Sequence, residues 1–280
     1  MSAVFPDVVL AEPERWPGLE AVLRDLVPEH PAVVQWRRER NTFHAWVESA
    51  PGAPRVFVKL YRPPFVRNAF TPIARSRARR EYDNSRAAFT RGLPVVPAIA
   101  YGERRVRGFV VDQMVAFEDL GDVKSLAQIL LWSGTPETRR ADGRTQFART
   151  LSRLHEGGYL HLAASPRNLL RVRRADGRTE WLWIDHPSGV LVDTSVRARE
   201  PALADVLSAF ESAALVPSDD AARAFLHEYA PDATGFAQRA LDLRTSGARA
   251  AAFCARAKWR DLWRRPAHKS GDALGRKTNP

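Results

Sequence analysis

The segment from Leu151 to Asp185 constrains the fold of this chain more than any other part of its sequence. It begins within an amphipathic helix whose apolar residues recur at helical spacing and whose first turn Thr145 is predicted to cap. A polar loop follows, opened by His161 and closed by Asn168. Two short apolar β runs come next, joined by a strong turn sequence, and Asp185 follows the second run. The order is therefore helix, loop, hairpin and acid.

Protein kinases place the residues of a phosphate-transfer site on elements of this same order. Their loop carries a His, a catalytic Asp and an Asn, and a metal-binding Asp follows on the next strands. His161, Asn168 and Asp185 match this pattern, but the position of the catalytic Asp holds Ala163. The segment therefore predicts a kinase-like frame without its general base, in which His161 is a structural loop residue.

Several of these residues also have an ordinary interpretation. Asn168 is a common type of turn residue before a strand. Asp185 is followed by His186 and Pro187 instead of the Phe-Gly of protein kinases. Asp205 lies off the apolar stripe of its helix, so it either braces the loop backbone or faces solvent. The residue types alone leave these alternatives open.

The first part of the chain supplies two charged partners for such a site. Lys59 lies inside an apolar strand predicted over Arg55 to Tyr61, where it could reach nucleotide phosphates. Glu81 lies on an arginine-rich helix predicted over Ala74 to Phe89, where it could hold that lysine in an ion pair. The plain alternatives are a strand lysine facing water and a helical pair of Glu81 with Arg77. The order of these residues ahead of the loop favours the nucleotide pair.

The glycine-rich loop that covers the phosphates in protein kinases is missing. Its place between two strands predicted over Val33 to Trp36 and Thr42 to Val47 is taken by Arg37, Arg38 and Arg40. Guanidinium groups bind phosphate oxygens with a fork geometry, so these arginines are candidates for the same role. A solvated basic turn explains them equally well.

The charge balance points to an anionic partner. The chain has 43 basic and 32 acidic residues, a formal net charge of +11, which suits nucleotide phosphates, an acidic membrane surface or nucleic acid. No helix-turn-helix, RNA-binding or zinc-finger signature is found, so nucleic acid is not expected. Cys254 is the only cysteine, which excludes an intramolecular disulfide. Without a signal-peptide or membrane-spanning stretch, we expect a cytoplasmic protein or one peripheral on the inner membrane.

A change from strands to helices near Phe117 to Asp122 predicts a boundary between two lobes. We predict an N-terminal extension over residues 1–30, a small β-rich lobe with one main helix over 31–118 and a larger helical lobe over 119–249. Residues 250–280 form a basic tail with three aromatic residues and an end that is expected to be disordered. This tail either rests on an anionic membrane face or packs its aromatic residues on the second lobe.

Six short motifs occur in order between Val33 and Phe210. They are FVKLY from Phe57, SRARREY from Ser76, RGLPVVP from Arg91, LHEGGYLH from Leu154, PRN from Pro166 and the pair Ile184-Asp185. In these motifs the chain resembles the bacterial lipopolysaccharide kinase family, the Kdo kinase and WaaP group.

This resemblance implies an α+β, protein-kinase-like fold with two lobes. It also implies ATP and magnesium as cofactors and a lipid A–core sugar or another envelope glycolipid as the phosphate acceptor. By the same resemblance, Asn168 and Asp185 hold the metal. The predicted nucleotide contacts are Lys59, Glu81, Arg38, Arg40 and Met114.

The departure from the family pattern is Ala163, which replaces the expected catalytic aspartate. A positioned general base is worth about 10² to 10⁴ in rate, or roughly 3 to 5 kcal/mol. Phosphoryl transfer depends mostly on positioning and charge neutralisation, which the other residues could still supply. Two functions therefore stay open: a slow sugar or glycolipid kinase, and a pseudokinase that acts by binding nucleotide or a partner in envelope biogenesis.

Overall fold

The computed structural model of the protein describes residues 5–39, 42–61, 75–174 and 176–246. The strands are β1 (Asp7–Leu10), β2 (Val33–Glu39), β3 (Thr42–Val47), β4 (Val56–Tyr61), β5 (Ala98–Val106), β6 (Phe109–Glu118), β7 (Lys124–Ser125), β8 (Tyr159–Leu160), β9 (Leu169–Arg173), β10 (Thr179–Trp183) and β11 (Val190–Leu191). The α-helices are α1 (Leu19–Arg24), α2 (Arg77–Thr90), α3 (Leu126–Leu131), α4 (Glu137–Glu156), α5 (Leu203–Phe210), α6 (Asp219–Tyr229) and α7 (Thr234–Thr245).

The N-terminal half is one antiparallel sheet with the strand order β1-β5-β6-β4-β3-β2. Side chains alternate across β4, so Val56, Val58 and Leu60 join a core with α1. Phe57 and Tyr61 lie on the other face, in a second core that includes residues of α2. Helix α2 therefore covers the face of the sheet to which Lys59 belongs.

The C-terminal half is built around α4, which runs from Glu137 to Glu156. Phe147, Leu151 and Leu154 are buried against α6 and the β9–β10 hairpin, as their helical spacing predicts. The predicted cap at Thr145 is wrong, because the helix begins eight residues earlier than Thr145, at Glu137. A backbone link joins the two halves, since the Val96 N–H donates to the Trp183 carbonyl at 2.9 Å.

The first hairpin differs from its prediction. Strand β2 continues to Glu39, so Arg37 and Arg38 lie in the strand instead of in the turn. Cross-strand pairing explains this extension, because Arg38 faces Phe43 and Glu39 faces Thr42 in the β2–β3 register. Arg40 and the tail over residues 250–280 lie outside the described residues. In the part of the chain that the structure describes, no helix is both long and apolar enough to cross a membrane.

Candidate functional site

Lys59 on β4 and Glu81 on α2 form an ion pair between the sheet and its covering helix. Lys59 Nζ lies 3.0 Å from Glu81 Oε1, and the Tyr61 hydroxyl donates to Glu81 Oε2 at 2.8 Å. The Glu81 side chain is 0% exposed and the Lys59 side chain only 12% exposed, so neither faces water. Both carboxylate oxygens of Glu81 therefore have a fixed partner.

The start of α2 is held so that Glu81 must face the sheet. The Ser76 hydroxyl caps the helix by accepting from the Arg79 N–H at 3.0 Å. One residue into the helix, the Ala78 N–H donates to Gln113 Oε1 of β6 at 2.8 Å. A cap and a cross-link to the sheet together set the rotation of α2 about its axis.

Asp185 reaches this ion pair from the C-terminal half. Its Oδ1 lies 3.8 Å from Lys59 Nζ and accepts a hydrogen bond from Arg77 Nη2 at 3.1 Å. Burial alone would raise the pKa of Asp185, but Lys59 and Arg77 outweigh it and hold that pKa below its usual value. The structure thus brings Lys59, Glu81 and Asp185 together, as their template order predicts.

The loop between β8 and β9 is tied to the protein interior. The His161 N–H donates to Asp205 Oδ2 at 2.7 Å, and the His161 ring donates from Nε2 to the Ile184 carbonyl at 2.9 Å. Asn168 closes the loop, because its side-chain amide donates to the Ala163 carbonyl at 2.9 Å. The one of these bonds that involves position 163 uses its backbone carbonyl, so the loop keeps its shape with alanine there.

Asp205 is fully buried and braces the loop, which decides the alternative that the sequence left open. Its Oδ2 contacts His155 Nε2 at 3.1 Å as well as the His161 N–H. Burial would raise the pKa of Asp205, but the bond from His155 and the nearby histidines lower it below the usual value. His155 is itself held from its other ring nitrogen by the Tyr229 hydroxyl.

His186, which departs from the kinase pattern, is a buried anchor. Its Nδ1 accepts from the Tyr159 hydroxyl at 3.0 Å, and its Nε2 donates to the Trp183 carbonyl at 3.0 Å. Burial lowers the pKa of His186 to about 3, so the ring is neutral. Asn84 of α2 donates to the His186 carbonyl at 2.8 Å and so ties the helix to the segment that carries Asp185.

Two predicted nucleotide contacts, Met114 and Arg38, do not join this cluster. Met114 is fully buried in the core with α1, on the face of the sheet opposite Lys59, because side chains alternate along β6. Val115 is the β6 residue opposite Lys59 in the register, and the Phe117 ring centroid lies 5.2 Å from Lys59 Nζ. Arg38 is exposed and its guanidinium lies 5.7 Å from the Phe43 ring centroid. Arg40 cannot be placed, since it lies outside the described residues.

Sequence reasoning missed the role of Arg77, which it considered only as a surface partner of Glu81. The guanidinium of Arg77 stacks on the Tyr61 ring at 4.6 Å from its centroid and binds Asp185. The only available signal was its position one turn before Glu81 on the same helix, which places both residues toward one face. Nothing in the local sequence indicates Asp185 as its partner, because the two residues are 108 positions apart.

Magnesium was expected on Asn168 and Asp185, and the contacts of Asp185 Oδ1 do not fit it. Asp185 Oδ1 already has Arg77 at 3.1 Å and Lys59 at 3.8 Å. The amide nitrogen of Asn168 donates to the loop, which leaves its side-chain oxygen, the atom that binds metal, available. Among residues 5–39, 42–61, 75–174 and 176–246, no group of three or more His, Cys, Asp or Glu is placed to hold a metal ion.

A six-stranded sheet covered by one main helix, a helical second half and a charged cluster between them define a protein-kinase-like protein. The sequence profile of the lipopolysaccharide kinase (Kdo/WaaP) family matches residues 32–229, so the chain belongs to this family. Among solved structures, the chain is similar to "WaaP in complex with acyl carrier protein", with a TM-score of 0.54 and 19% identity. That match covers 91% of this chain and 98% of the other.

At this level of identity the structural match shows the fold alone. It confirms the predicted α+β, two-lobed kinase-like architecture. A search of curated proteins finds no match to this chain. Family membership supports a kinase-like, transferase-type function in the lipopolysaccharide core.

Proposed function

We propose that the chain is a nucleotide-binding, kinase-like protein whose transfer step lacks its general base. The observation that carries this proposal is the position of Lys59 Nζ, 3.0 Å from Glu81 Oε1 and 3.8 Å from Asp185 Oδ1. Kinases need this lysine–glutamate pair in place to bind the phosphates of ATP. Here the pair is closed and its glutamate is also held by Tyr61, so the lysine is pre-organised for a triphosphate.

Each residue of the cluster has a distinct part in this proposal. Bound ATP supplies a transferable phosphoryl group. Lys59 contacts its phosphates, and Glu81 fixes the direction of the lysine side chain. Ala163 can neither accept the proton of an acceptor hydroxyl nor orient it, so transfer loses the factor of about 10² to 10⁴ that a base provides. We derive no step through magnesium, since the contacts of Asp185 do not fit it.

One observation favours slow transfer as a second candidate function. The loop that would hold the base keeps its frame through Asp205, His161 and Asn168. Because phosphoryl transfer depends mostly on positioning, a slow glycolipid kinase could use this frame. Family membership supports a lipid A–core sugar or another envelope glycolipid as the acceptor.

Two features outside the cluster belong to the same proposal. We place the lobe boundary between residues 118 and 119, directly after β6 ends at Glu118. We also place the protein in the cytoplasm, at the surface of the inner membrane, where a glycolipid acceptor would be met. The net charge of +11 and the basic tail over residues 250–280 support contact with an anionic membrane surface there.

Nucleotide binding is tested by thermal and urea unfolding of the full chain with and without ATP, in buffers that contain either magnesium or EDTA. We expect ATP at about 100 times its Kd to stabilise the wild type by about 2.7 kcal/mol. Lys59→Ala should lose most of this gain. Lys124→Ala is the matched control, because Lys124 is an exposed strand lysine of the C-terminal half.

For each variant, the stability with ATP is compared with the stability of the same variant without ATP. Any loss of stability from an unpaired Glu81 therefore does not enter the result. A wild-type chain that gains no stability from millimolar ATP in either buffer would contradict nucleotide binding.

A further inference from the structure

The cluster contains a cation that the kinase template does not require. Lys59 and Glu81 are the template pair, and Asp185 is the template acid, but Arg77 is an addition from the first turn of α2. Its guanidinium binds Asp185 Oδ1 at 3.1 Å, at the carboxylate where a kinase holds its metal.

Arg77 is held by the Tyr61 ring on one face of its planar group and by Asp185 at its edge. The Tyr61 ring lies 4.6 Å from the guanidinium carbon, and the Tyr61 hydroxyl is fixed by its bond to Glu81. Burial would lower the pKa of Arg77, but Tyr61, Asp185 and Glu81 outweigh it and raise that pKa above its usual value. The side chain is also 43% exposed, so part of the guanidinium stays accessible to a ligand.

We propose that Arg77 is a built-in counter-cation of this site, so that the phosphates of ATP bind without a divalent metal. This inference rests on the nucleotide site proposed above and adds that the site needs no divalent metal to bind ATP. A guanidinium carries five N–H donors, and the bond to Asp185 uses one of them. The remaining donors form a fork that matches phosphate oxygens.

The charges of the cluster favour this assignment over a bound metal. Lys59 and Arg77 balance Glu81 and Asp185, so the negative groups already have partners. A divalent ion at Asp185 would share Oδ1 with two cations and be repelled by both. A phosphate can contact Lys59 and Arg77, which present two cations from β4 and α2.

The test is isothermal titration of the full chain with ATP, once with magnesium and once with EDTA. For the wild type we expect the two Kd values to agree within about threefold, since the cation is part of the protein. Arg77→Ala should raise the Kd in EDTA by about tenfold or more, because a charge-assisted bond to phosphate is lost. The same variant should recover affinity when magnesium is added, since Asp185 is then free for the metal.

Two further variants separate this role from a structural one. Arg79→Ala removes the same charge from the same helix, but Arg79 pairs with Asp83 at 3.9 Å, so the Kd should not change. Arg77→Lys keeps the charge without the fork and should fall between the wild type and Arg77→Ala. Unfolding curves without ATP confirm that each variant is folded before titration.

Each outcome decides the inference. Wild-type binding that needs magnesium would overturn it and leave the nucleotide site standing. An Arg77→Ala chain that binds ATP in EDTA as the wild type does would overturn it in the same way. A wild type that binds no ATP in either buffer would reject the nucleotide site itself, and the role of Arg77 with it.

Discussion

The charged residues that β4 and α2 bring to the cleft are tied to one another, whereas the loop between β8 and β9 is tied to the protein interior. Lys59, Tyr61 and Glu81 form a closed set of contacts in which both carboxylate oxygens of Glu81 have a partner. The loop is held by Asp205 of α5 and by Asn168 at its own end.

This difference explains how the loop keeps its shape with alanine at position 163. At position 163 the loop uses only the carbonyl, which accepts from the Asn168 amide. The side chain at that position makes none of the bonds that hold the loop, so alanine there leaves the loop frame intact. In the other half the proposed phosphate contact is also a structural group, because removing Lys59 leaves Glu81 buried without its cation.

The largest expected effect comes from removing the brace of the loop. Asp205→Ala should lower the free energy of unfolding by about 3 to 5 kcal/mol, because it leaves the buried His161 N–H and the His155 ring without their acceptor. Urea unfolding measures the loss. Asp142→Ala, which removes an exposed aspartate from α4, should cost less than about 0.5 kcal/mol. An equally small loss for Asp205→Ala would show that the loop does not depend on its interior contacts.

The second largest expected effect is a loss of stability in acid, caused by the buried histidines of the C-terminal half. Burial lowers the pKa of His161, and it lowers the pKa of His186 to about 3, so both rings stay neutral in the folded protein while the unfolded chain binds protons near pH 6.5. Their contribution to stability is full above pH 6.5 and is lost as the pH falls toward 3. For His186 the loss at pH 5 relative to pH 7.5 should be about 2 kcal/mol.

This dependence is measured by urea unfolding at a series of pH values. His186→Gln cannot titrate, so its loss of stability between pH 7.5 and pH 5 should be smaller than that of the wild type by about 2 kcal/mol. His227→Gln is the control, since His227 is exposed on α6 and should leave the profile unchanged. A His186→Gln profile identical to that of the wild type would mean that the ring is protonated in the folded state.

The smallest expected effect concerns the missing base. Ala163→Asp should change the transfer of labelled phosphate from ATP to core oligosaccharide by less than about tenfold, although a positioned base is worth about 10² to 10⁴. The reason is that Asp185 already binds Arg77, so more than one catalytic element has changed. Ala141→Asp, at an exposed position of α4, is the control. Transfer at an ordinary kinase rate by Ala163→Asp would show that only the base had been lost.

The spacing of residues along the chain was enough to find most of the cluster. Alternation in β4 put Lys59 among apolar neighbours, and the loop motif pointed to His161, Asn168 and Asp185. Met114 was misplaced because the sequence did not show which face of β6 would meet the cleft, although alternation puts Phe117 there and Met114 opposite. The cap at Thr145 was misplaced because α4 begins eight residues earlier.

The sequence by itself determined the order of the elements, the kinase-like frame and the alanine at position 163, since these depend on residue types at short, regular separations. Only the tertiary structure decided that Arg77 takes the place beside Asp185 and that Asp205 faces inward. These contacts join residues that are 108 and 44 positions apart in the chain. Local periodicity fixes which residues share a face of one element, but the partner across a cleft is set by how the two halves pack.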